Sequence, residues 1–241
     1  MTGDGVLRTE HLAKRFGGVV ATDDVSISIP SGELRCIIGP NGAGKSTLFA
    51  LLCGIDRPDA GRVFLKGRDV TRVPAFQRVR RGLGLTFQTN RAFHRLSVRQ
   101  NLAAVPDFAR GDRTRDAKEL YHFALAGFGL DPSSDLPAKE LPHHQLQWLE
   151  IVMALAAGPD IILLDEPTAG MSPDETRQTA EVIKRLNARG LTIVVVEHDI
   201  SFVREVAQRV TVVHQGRIFA EGTVGEITAH ADVRRIYLGQ A

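Results

Sequence analysis

The residues that most clearly predict chemistry form the segment GPNGAGKST, residues 39–47. Glycines occupy its first and sixth positions and Lys45 and Ser46 follow, which is the G-x-x-x-x-G-K-[ST] pattern of a phosphate-binding loop. Glycines let backbone N–H groups surround phosphate oxygens, and the following helix adds its positive N-terminal end. We expect Lys45 to reach the β- and γ-phosphates and the Ser46 hydroxyl to bind Mg²⁺. The alternative is a glycine-rich turn with a chance lysine.

Two further segments place acidic or titratable side chains after apolar runs. Asp165 and Glu166 follow the run at residues 161–164, and His198 follows the run at residues 192–196, 33 positions after Asp165. At the carboxyl edge of a parallel sheet, Asp165 would lie beside a metal and Glu166 would orient or deprotonate an attacking water. Solvated acids at a strand end, and a loop or core histidine, are the alternatives.

The segment ELPHHQLQWLE, residues 140–150, raises a separate question because adjacent histidines are common in metal sites. Adjacent helical residues point about 100° apart and do not face one ligand, which disfavours a shared metal. Pro142 suits the first turn of a helix, where a missing N–H costs little.

The strands that must position these residues are marked by their apolar patterns. Residues 161–164 and 192–196 are continuous apolar runs, typical of strands buried on both faces of a parallel sheet. A helix over residues 173–189 joins them, and residues 33–38 lead into the phosphate-binding loop. The sequence therefore predicts an α/β core.

Other segments complete that core. Residues 25–29 alternate with period two and residues 61–66 are flanked by glycines, which predicts strands. Residues 210–214 and 217–220 predict a β-hairpin turning at Gln215 and Gly216. From residue 88 to residue 140 the pattern is helical and polar, as in an inserted subdomain, and the helix over residues 146–156 ends at Gly158.

Composition limits the possible partners. The chain has 241 residues and a formal net charge of +2, so it shows no excess of basic residues that would predict nucleic-acid binding. Cys36 and Cys53 have no metal-ligand spacing and are expected to be buried reduced thiols in a cytosolic setting. No run reaches the roughly 18 to 20 apolar residues of a membrane span. If the protein acts at a membrane, we expect it to do so from the cytosolic side and through partner proteins.

Together these motifs resemble the nucleotide-binding subunits of ATP-binding-cassette (ABC) transporters over nearly the whole chain. The resemblance implies a RecA-like P-loop NTPase core with an N-terminal antiparallel β-subdomain and an α-helical insertion subdomain. One ABC ATPase domain would span residues 1–241. The core and β-subdomain would take residues 1–88 and 159–241, and the helical subdomain residues 89–158.

The resemblance also implies residue roles. Gln88 would join the core to the insertion, Phe16 would stack on adenine unless it is simple core, and His198 would be the switch histidine contacting the γ-phosphate. The implied ATP contacts are Phe16, Gly39, Asn41, Gly42, Ala43, Gly44, Lys45, Ser46, Thr47, Gln88 and Asp165. The implied Mg²⁺ ligands are Ser46, Gln88 and Asp165, and the implied catalytic residues are Lys45, Gln88, Glu166 and His198.

The family's signature segment, L-S-G-G-Q, binds the ATP of a partner subunit, and Leu141, Pro142, His143, His144 and Gln145 occupy its place. Proline replaces the serine and histidines replace both glycines, although the urea branch of the family already carries a histidine at the first glycine. We expect an impaired signature. In addition, Ser172 replaces the aspartate usual in the loop after Glu166.

RFGGVVA, DEPTAGMSP and VVVEHD resemble importers of branched-chain amino acids and urea, which implies an ATP-hydrolysing importer subunit. Its partners would be a second nucleotide-binding subunit, permease subunits and an extracytoplasmic solute-binding protein, at the cytoplasmic face of the inner or plasma membrane. The permease's coupling helix would meet residues 89–101 through Phe93, Leu96 and Val98, unless these pack within the subdomain. The alternative is a non-transport ABC-type ATPase acting in DNA repair or on ribosomes.

Overall fold

The computed structural model describes residues 5–87, 91–106 and 113–238, which hold eleven strands and nine α-helices. In chain order the strands are β1 (Leu7–Phe16), β2 (Val19–Val25), β3 (Ser28–Ile29), β4 (Leu34–Ile38), β5 (Ala60–Leu65), β6 (Arg68–Asp69), β7 (Leu83–Leu85), β8 (Ile161–Asp165), β9 (Thr192–Val196), β10 (Arg209–His214) and β11 (Arg217–Gly222). The helices are α1 (Lys45–Cys53), α2 (Ala75–Arg80), α3 (Val98–Ala103), α4 (Arg113–Phe128), α5 (His143–Ala156), α6 (Pro173–Ala188), α7 (Ile200–Val206), α8 (Val224–Ala229) and α9 (Ala231–Leu238), with one 3₁₀ turn at Ala138–Glu140.

A six-stranded sheet in the order β11-β10-β4-β9-β8-β7 forms the centre of the fold. All neighbours are parallel except the edge hairpin β10–β11. Successive residues alternate between two apolar clusters: Ile162 and Leu164 pack in one, Ile161 and Leu163 in the other. Both faces of the sheet are therefore covered, as the continuous apolar runs predict. This confirms the expected α/β fold class.

The second sheet contains only antiparallel pairs, in the order β2-β1-β5-β6 with β3 beside β1. The single alternating strand predicted over residues 25–29 is wrong, because the chain changes register along β1 there. Val25 pairs with Leu12, whereas Ile29 pairs with Leu7. Between them the Ile27 N–H donates to the Thr9 hydroxyl, so the segment divides between the end of β2 and the two-residue β3.

The predicted hairpin is confirmed and contributes to the phosphate-binding loop. Its turn residues, Gln215 and Gly216, both have positive φ, at 49° and 76°, as the tight two-residue turn requires. The N–H of Gly216 donates to the carbonyl of Ala43 at 2.8 Å. The edge hairpin thus holds that loop from one side.

Helices α3, α4 and α5 lie between β7 and β8 in the chain, where the helical insertion is predicted. The Phe128 and Trp148 rings stack at 5.1 Å and join α4 to α5. The proposed division at residues 88/89 and 158/159 stays a prediction. Cys36 and Cys53 are buried free thiols, and burial raises the pKa of each. Within the described ranges, no helix is both long and apolar enough to span a membrane.

Candidate active site

Three neighbouring parallel strands bring the predicted chemical residues to one edge of the central sheet. Strand β9 lies between β4 and β8, and its last residue, Val196, is opposite Ile37 on one side and Asp165 on the other. The phosphate-binding loop follows β4, Glu166 follows β8 and His198 follows β9. Parallel strands end at the same edge, so segments far apart in sequence meet there.

The glycines of the phosphate-binding loop are required by both backbone conformation and packing. Gly42 and Gly44 have φ of 77° and 102°. A Cβ at Gly39 would lie 2.3 Å from the Val213 carbonyl oxygen, and one at Gly44 would lie 2.2 Å from that of Ala21. Helix α1 begins at Lys45, and no side chain caps its N-terminus. Its first N–H groups are therefore suited to an anion.

Lys45 is a buried cation at the start of α1. Its Nζ donates to the carbonyls of Gly39 and Pro40 at 2.7 and 3.1 Å. Burial lowers the pKa of its ammonium group. The carboxylates of Glu166, Asp165 and Glu197 oppose that shift, so the lysine faces a concentration of negative charge. Asn41 and Ser46, two of the predicted ATP contacts, are exposed. The N–H of Ala43, another predicted contact, donates to the Pro40 carbonyl at 3.2 Å.

Glu166 and His198 meet across the ends of β8 and β9. Glu166 Oε1 lies 3.4 Å from His198 Nδ1, and the histidine side chain is largely exposed. Glu166 has a φ of 47°, unusual for a residue with a side chain, and its N–H donates to the Val196 carbonyl at 2.9 Å. The Asp199 side chain accepts from Ser201 N at 2.7 Å and caps α7 just after the histidine. The two predicted catalytic side chains are therefore adjacent and held on short backbone turns.

Sequence reasoning missed Glu197, whose carboxylate bonds to both of the loops that carry these two residues. It is 1% exposed, although it follows an apolar strand where a solvated acid is the usual expectation. Its carboxylate accepts hydrogen bonds from Thr168, His198 and Asp199. The only available signal was the acid's position directly before His198.

The signature segment, residues 141–145, opens α5, and its histidines bond to the same chain. His143 Nε2 donates to the Ala169 carbonyl at 3.1 Å. His144 Nδ1 lies 2.7 Å from Glu175 Oε1, and its ring packs edge-on against Trp148 at 4.7 Å. Each ring thus has its own protein acceptor, which disfavours a shared metal. Pro142 is the residue just before the first helical turn, one position earlier than predicted.

Those histidines reach the loop that links Glu166 to α6. Ser172 replaces the family's aspartate there and caps α6: its hydroxyl accepts from Glu175 N, and Glu175 Oε2 accepts from Ser172 N at 2.7 Å. Hydrogen bonding from Ser172 lowers the pKa of Glu175, and the nearby histidines act in the same direction. The signature segment and the loop after Glu166 therefore share one set of contacts through Glu175.

Exposure bears on the alternatives left open for four apolar residues. Phe16 ends β1 with 49% of its surface exposed and Lys14 Nζ 5.3 Å from its ring centre, so it is not simple core. Phe93 is 54% exposed and fits a contact surface, whereas Val98 is 2% exposed and packs in the core. Leu96 is half-buried. For Val98, burial therefore favours the alternative of packing within the subdomain over contact with a partner.

Gln88 lies outside the described residues, and so does the part of the expected coupling surface at residues 89 and 90. Just before these residues, Phe87 N donates to Glu150 Oε1 at 3.2 Å. Glu150 lies on α5, nine residues after Leu141. Burial raises its pKa to about 7, and hydrogen bonds from the Phe87 and Arg91 N–H groups oppose that shift. One buried acid thus accepts hydrogen bonds from both Phe87 and Arg91.

Sequence comparison places the chain among transport ATPases. The ABC transporter family model matches residues 22–169. A probable ABC transporter ATP-binding protein of Azorhizobium caulinodans is 36% identical, with 99% of this chain and 85% of the relative covered. The lipopolysaccharide export ATP-binding protein LptB of Escherichia coli K12 is 36% identical over 97% of both chains. The branched-chain amino acid transport ATP-binding protein LivG of Salmonella typhimurium is 35% identical over 98% of both.

Solved structures agree with the sequence relatives. A nucleotide-free ATP-binding cassette from an ABC transporter superposes with a TM-score of 0.84 at 30% identity, covering 98% of this chain and 99% of that one. A dimeric cassette in a post-hydrolysis state, bound to ADP and phosphate, superposes with a TM-score of 0.75 at 25% identity, covering 90% and 98%.

Proposed function

Because this chain belongs to the ABC transporter family, in which it is an ATP-binding, ATP-hydrolysing subunit, we propose that it powers the import of urea, branched-chain amino acids or a related small polar solute. The observation that carries the ATP-hydrolysing part of the proposal is the meeting of Lys45, Glu166 and His198 at three adjacent strand ends. That arrangement supplies a cation that can bind phosphate, a base that can accept a proton from water, and a neighbouring group that can orient the base.

The choice of solute rests on the relatives and on short motifs. LivG is named for branched-chain amino acid transport, and the importer-like motifs RFGGVVA and VVVEHD support the same group. LptB is equally similar and is named for lipopolysaccharide export. The solute is therefore the finer part of the proposal. Every relative named above is a transport protein, which favours transport over a role in DNA repair or on ribosomes.

Hydrolysis would proceed by in-line attack of water on the γ-phosphorus. Lys45 and the α1 N-terminus would stabilise charge on the phosphates, with Lys45 Nζ exchanging its carbonyl acceptors for phosphate oxygens. Glu166 would accept the proton of the attacking water. His198 would hold Glu166 and contact the γ-phosphate, as their 3.4 Å separation allows. Phe16 would stack on adenine at the exposed end of β1.

Mg²⁺ fits the oxygen donors at this edge. Ser46 presents an exposed hydroxyl in the first turn of α1, and Asp165 presents a half-buried carboxylate at the end of β8. Hydroxyl, carboxylate and phosphate oxygens are the hard ligands that Mg²⁺ prefers. We propose that these two residues, with Gln88, hold the ion. When bound, it would neutralise charge on the β- and γ-phosphates.

Two such subunits would enclose two ATP molecules, each between the phosphate-binding loop of one chain and the signature segment of the other. A closing and opening dimer would drive permease subunits between two states. Phe93 is a candidate contact for those subunits, at the cytoplasmic face of the membrane. In an importer, an extracytoplasmic solute-binding protein would deliver the solute.

The signature segment of this chain is the feature expected to limit hydrolysis. Pro142 offers no hydroxyl, and both histidine rings occupy space that glycine would leave open, bonded instead to residues 169 and 175 of their own chain. In a homodimer both ATP sites would be affected. With an intact partner subunit, only the site on the partner's phosphate-binding loop would be.

The test is to isolate the chain from its host membranes with its bound partners. We expect hydrophobic permease subunits to co-purify, and ATP-dependent uptake of labelled urea or leucine into vesicles that contain the assembly. Uptake of neither solute, with lipopolysaccharide extraction instead, would contradict the import proposal. Recovery of ribosomes or DNA without permease subunits would contradict the transport role.

A further inference from the structure

Glu197 is a buried carboxylate that accepts hydrogen bonds from the two loops that carry the proposed catalytic groups. Oε1 accepts from the Thr168 hydroxyl at 2.6 Å and from Thr168 N at 3.3 Å. Oε2 accepts from His198 N at 3.0 Å and Asp199 N at 3.4 Å. Burying a carboxylate is costly unless its oxygens are hydrogen-bonded, and four neutral donors satisfy this one.

The two oxygens divide their contacts between the loops. Thr168 lies two residues after Glu166, and Glu197 precedes His198 directly. One oxygen therefore fixes the loop after β8 and the other fixes the loop after β9. The Glu197 side chain therefore links the two loops, in addition to the hydrogen bond from Glu166 N to the Val196 carbonyl, close to where Glu166 and His198 meet at 3.4 Å.

We infer that Glu197 is a positioning residue, which clamps Thr168 and the His198 backbone so that Glu166 and His198 stay aligned for hydrolysis. The inference rests on the proposed roles of Glu166 and His198. A charged acceptor suits this place because charge-assisted hydrogen bonds are shorter and stronger than neutral ones. Glu197 also adds to the negative charge around Lys45, behind the larger contributions of Glu166 and Asp165.

Replacement of Thr168 is the cleanest probe, because it changes one arm of the clamp without removing a charge. Thr168→Val keeps the shape but loses the hydroxyl donor, whereas Thr168→Ser keeps the donor. Thr9 provides the matched control. It is buried in the other sheet, and its hydroxyl donates to Val25 O at 3.1 Å and accepts from Ile27 N at 3.0 Å. Thr9→Val therefore measures the loss of a buried threonine hydroxyl away from the site.

We expect Thr168→Val and Glu197→Gln to lower kcat roughly 10- to 100-fold in the assembled protein, with KM for ATP changed by less than about threefold. Thr168→Ser should restore most of the rate. Glu197→Gln should add little to Thr168→Val, since both open the same contact. Thr9→Val should lower the melting temperature about as much as Thr168→Val does and leave kcat unchanged.

Three results would overturn the proposed role of Glu197. The first is an unchanged kcat in Thr168→Val, and the second is a decrease in kcat in Thr168→Val no larger than that in Thr9→Val. The third is a kcat in Thr168→Ser as low as that in Thr168→Val. A Glu166→Gln variant in the same series separates the two claims. If that variant keeps wild-type turnover, the proposed role of Glu166 fails. If it is inactive while Thr168→Val and Glu197→Gln are normal, only the clamp fails.

Discussion

Raising the pH from 5 to 8 should lower the stability of the folded chain through one carboxylate, that of Glu150. Burial on α5 raises its pKa to about 7 from an ordinary 4.5, while hydrogen bonds from Phe87 and Arg91 oppose the shift. At pH values between 4.5 and about 7, the carboxyl of Glu150 is therefore protonated in the folded state and ionised in the unfolded state. Because the unfolded chain binds fewer protons in that window, stability falls as pH rises through it.

The magnitude follows from the two pKa values. With a folded-state pKa of about 7 and an unfolded value of 4.5, the contribution of this group to the free energy of unfolding should fall by roughly 2 to 3 kcal/mol between pH 5 and pH 8. Glu150→Gln removes the titration and keeps an oxygen that accepts from Phe87 N. The free energy of unfolding of this variant, relative to wild type, should therefore increase by the same amount over that pH range.

Urea unfolding at several pH values measures this difference directly. Glu140→Gln on the exposed 3₁₀ turn is the matched control, since it removes one negative charge without altering a buried group. We expect the difference in free energy of unfolding between wild type and variant to change more with pH for Glu150→Gln than for Glu140→Gln. A difference that stays constant within about 0.5 kcal/mol from pH 5 to pH 8 would refute the reasoning.

Three further predictions concern the nucleotide. Restoring the signature with Pro142→Ser, His143→Gly and His144→Gly should raise kcat for ATP, and no gain in steady-state turnover would mean that the histidine form is fully competent. Phe16→Ala should raise KM for ATP about 10-fold through lost stacking, while Phe16→Trp should keep it near wild type; equal KM values in all three proteins would contradict the stacking role. Asp165→Asn should raise the Mg²⁺ concentration needed for half-maximal activity, and an unchanged Mg²⁺ titration would contradict Asp165 as a ligand.

Much of the fold was predictable because its central strands carry a strong local signal. The apolar runs of β8 and β9, and the glycine pattern after β4, each follow from burial on two faces or from φ requirements that neighbouring residues reveal. The strand break after Val25 was not predictable in this way. It depends on which residue of β1 each partner meets, and alternation along one strand does not encode that.

The residues of the candidate site likewise divide into those that the sequence predicted and those that it did not. The phosphate-binding loop and Glu166 were predicted from residue patterns at strand ends, and the role of His198 was predicted from the family resemblance. Glu197 was missed because an acid after a strand usually faces solvent, and its partner Thr168 lies 29 residues away in the sequence. The contacts of the signature histidines with residues 169 and 175 depend on how α5 packs on α6, which no local pattern specifies.

Turnover by Glu166→Gln, measured together with ATP binding, tests the central claim most directly. A base that acts on the attacking water contributes about 10²- to 10⁴-fold to the rate, whereas binding depends on the phosphate-binding loop and α1. We predict that the variant loses at least about 100-fold in kcat and retains bound ATP with wild-type affinity. Hydrolysis at the wild-type rate by Glu166→Gln would contradict the account.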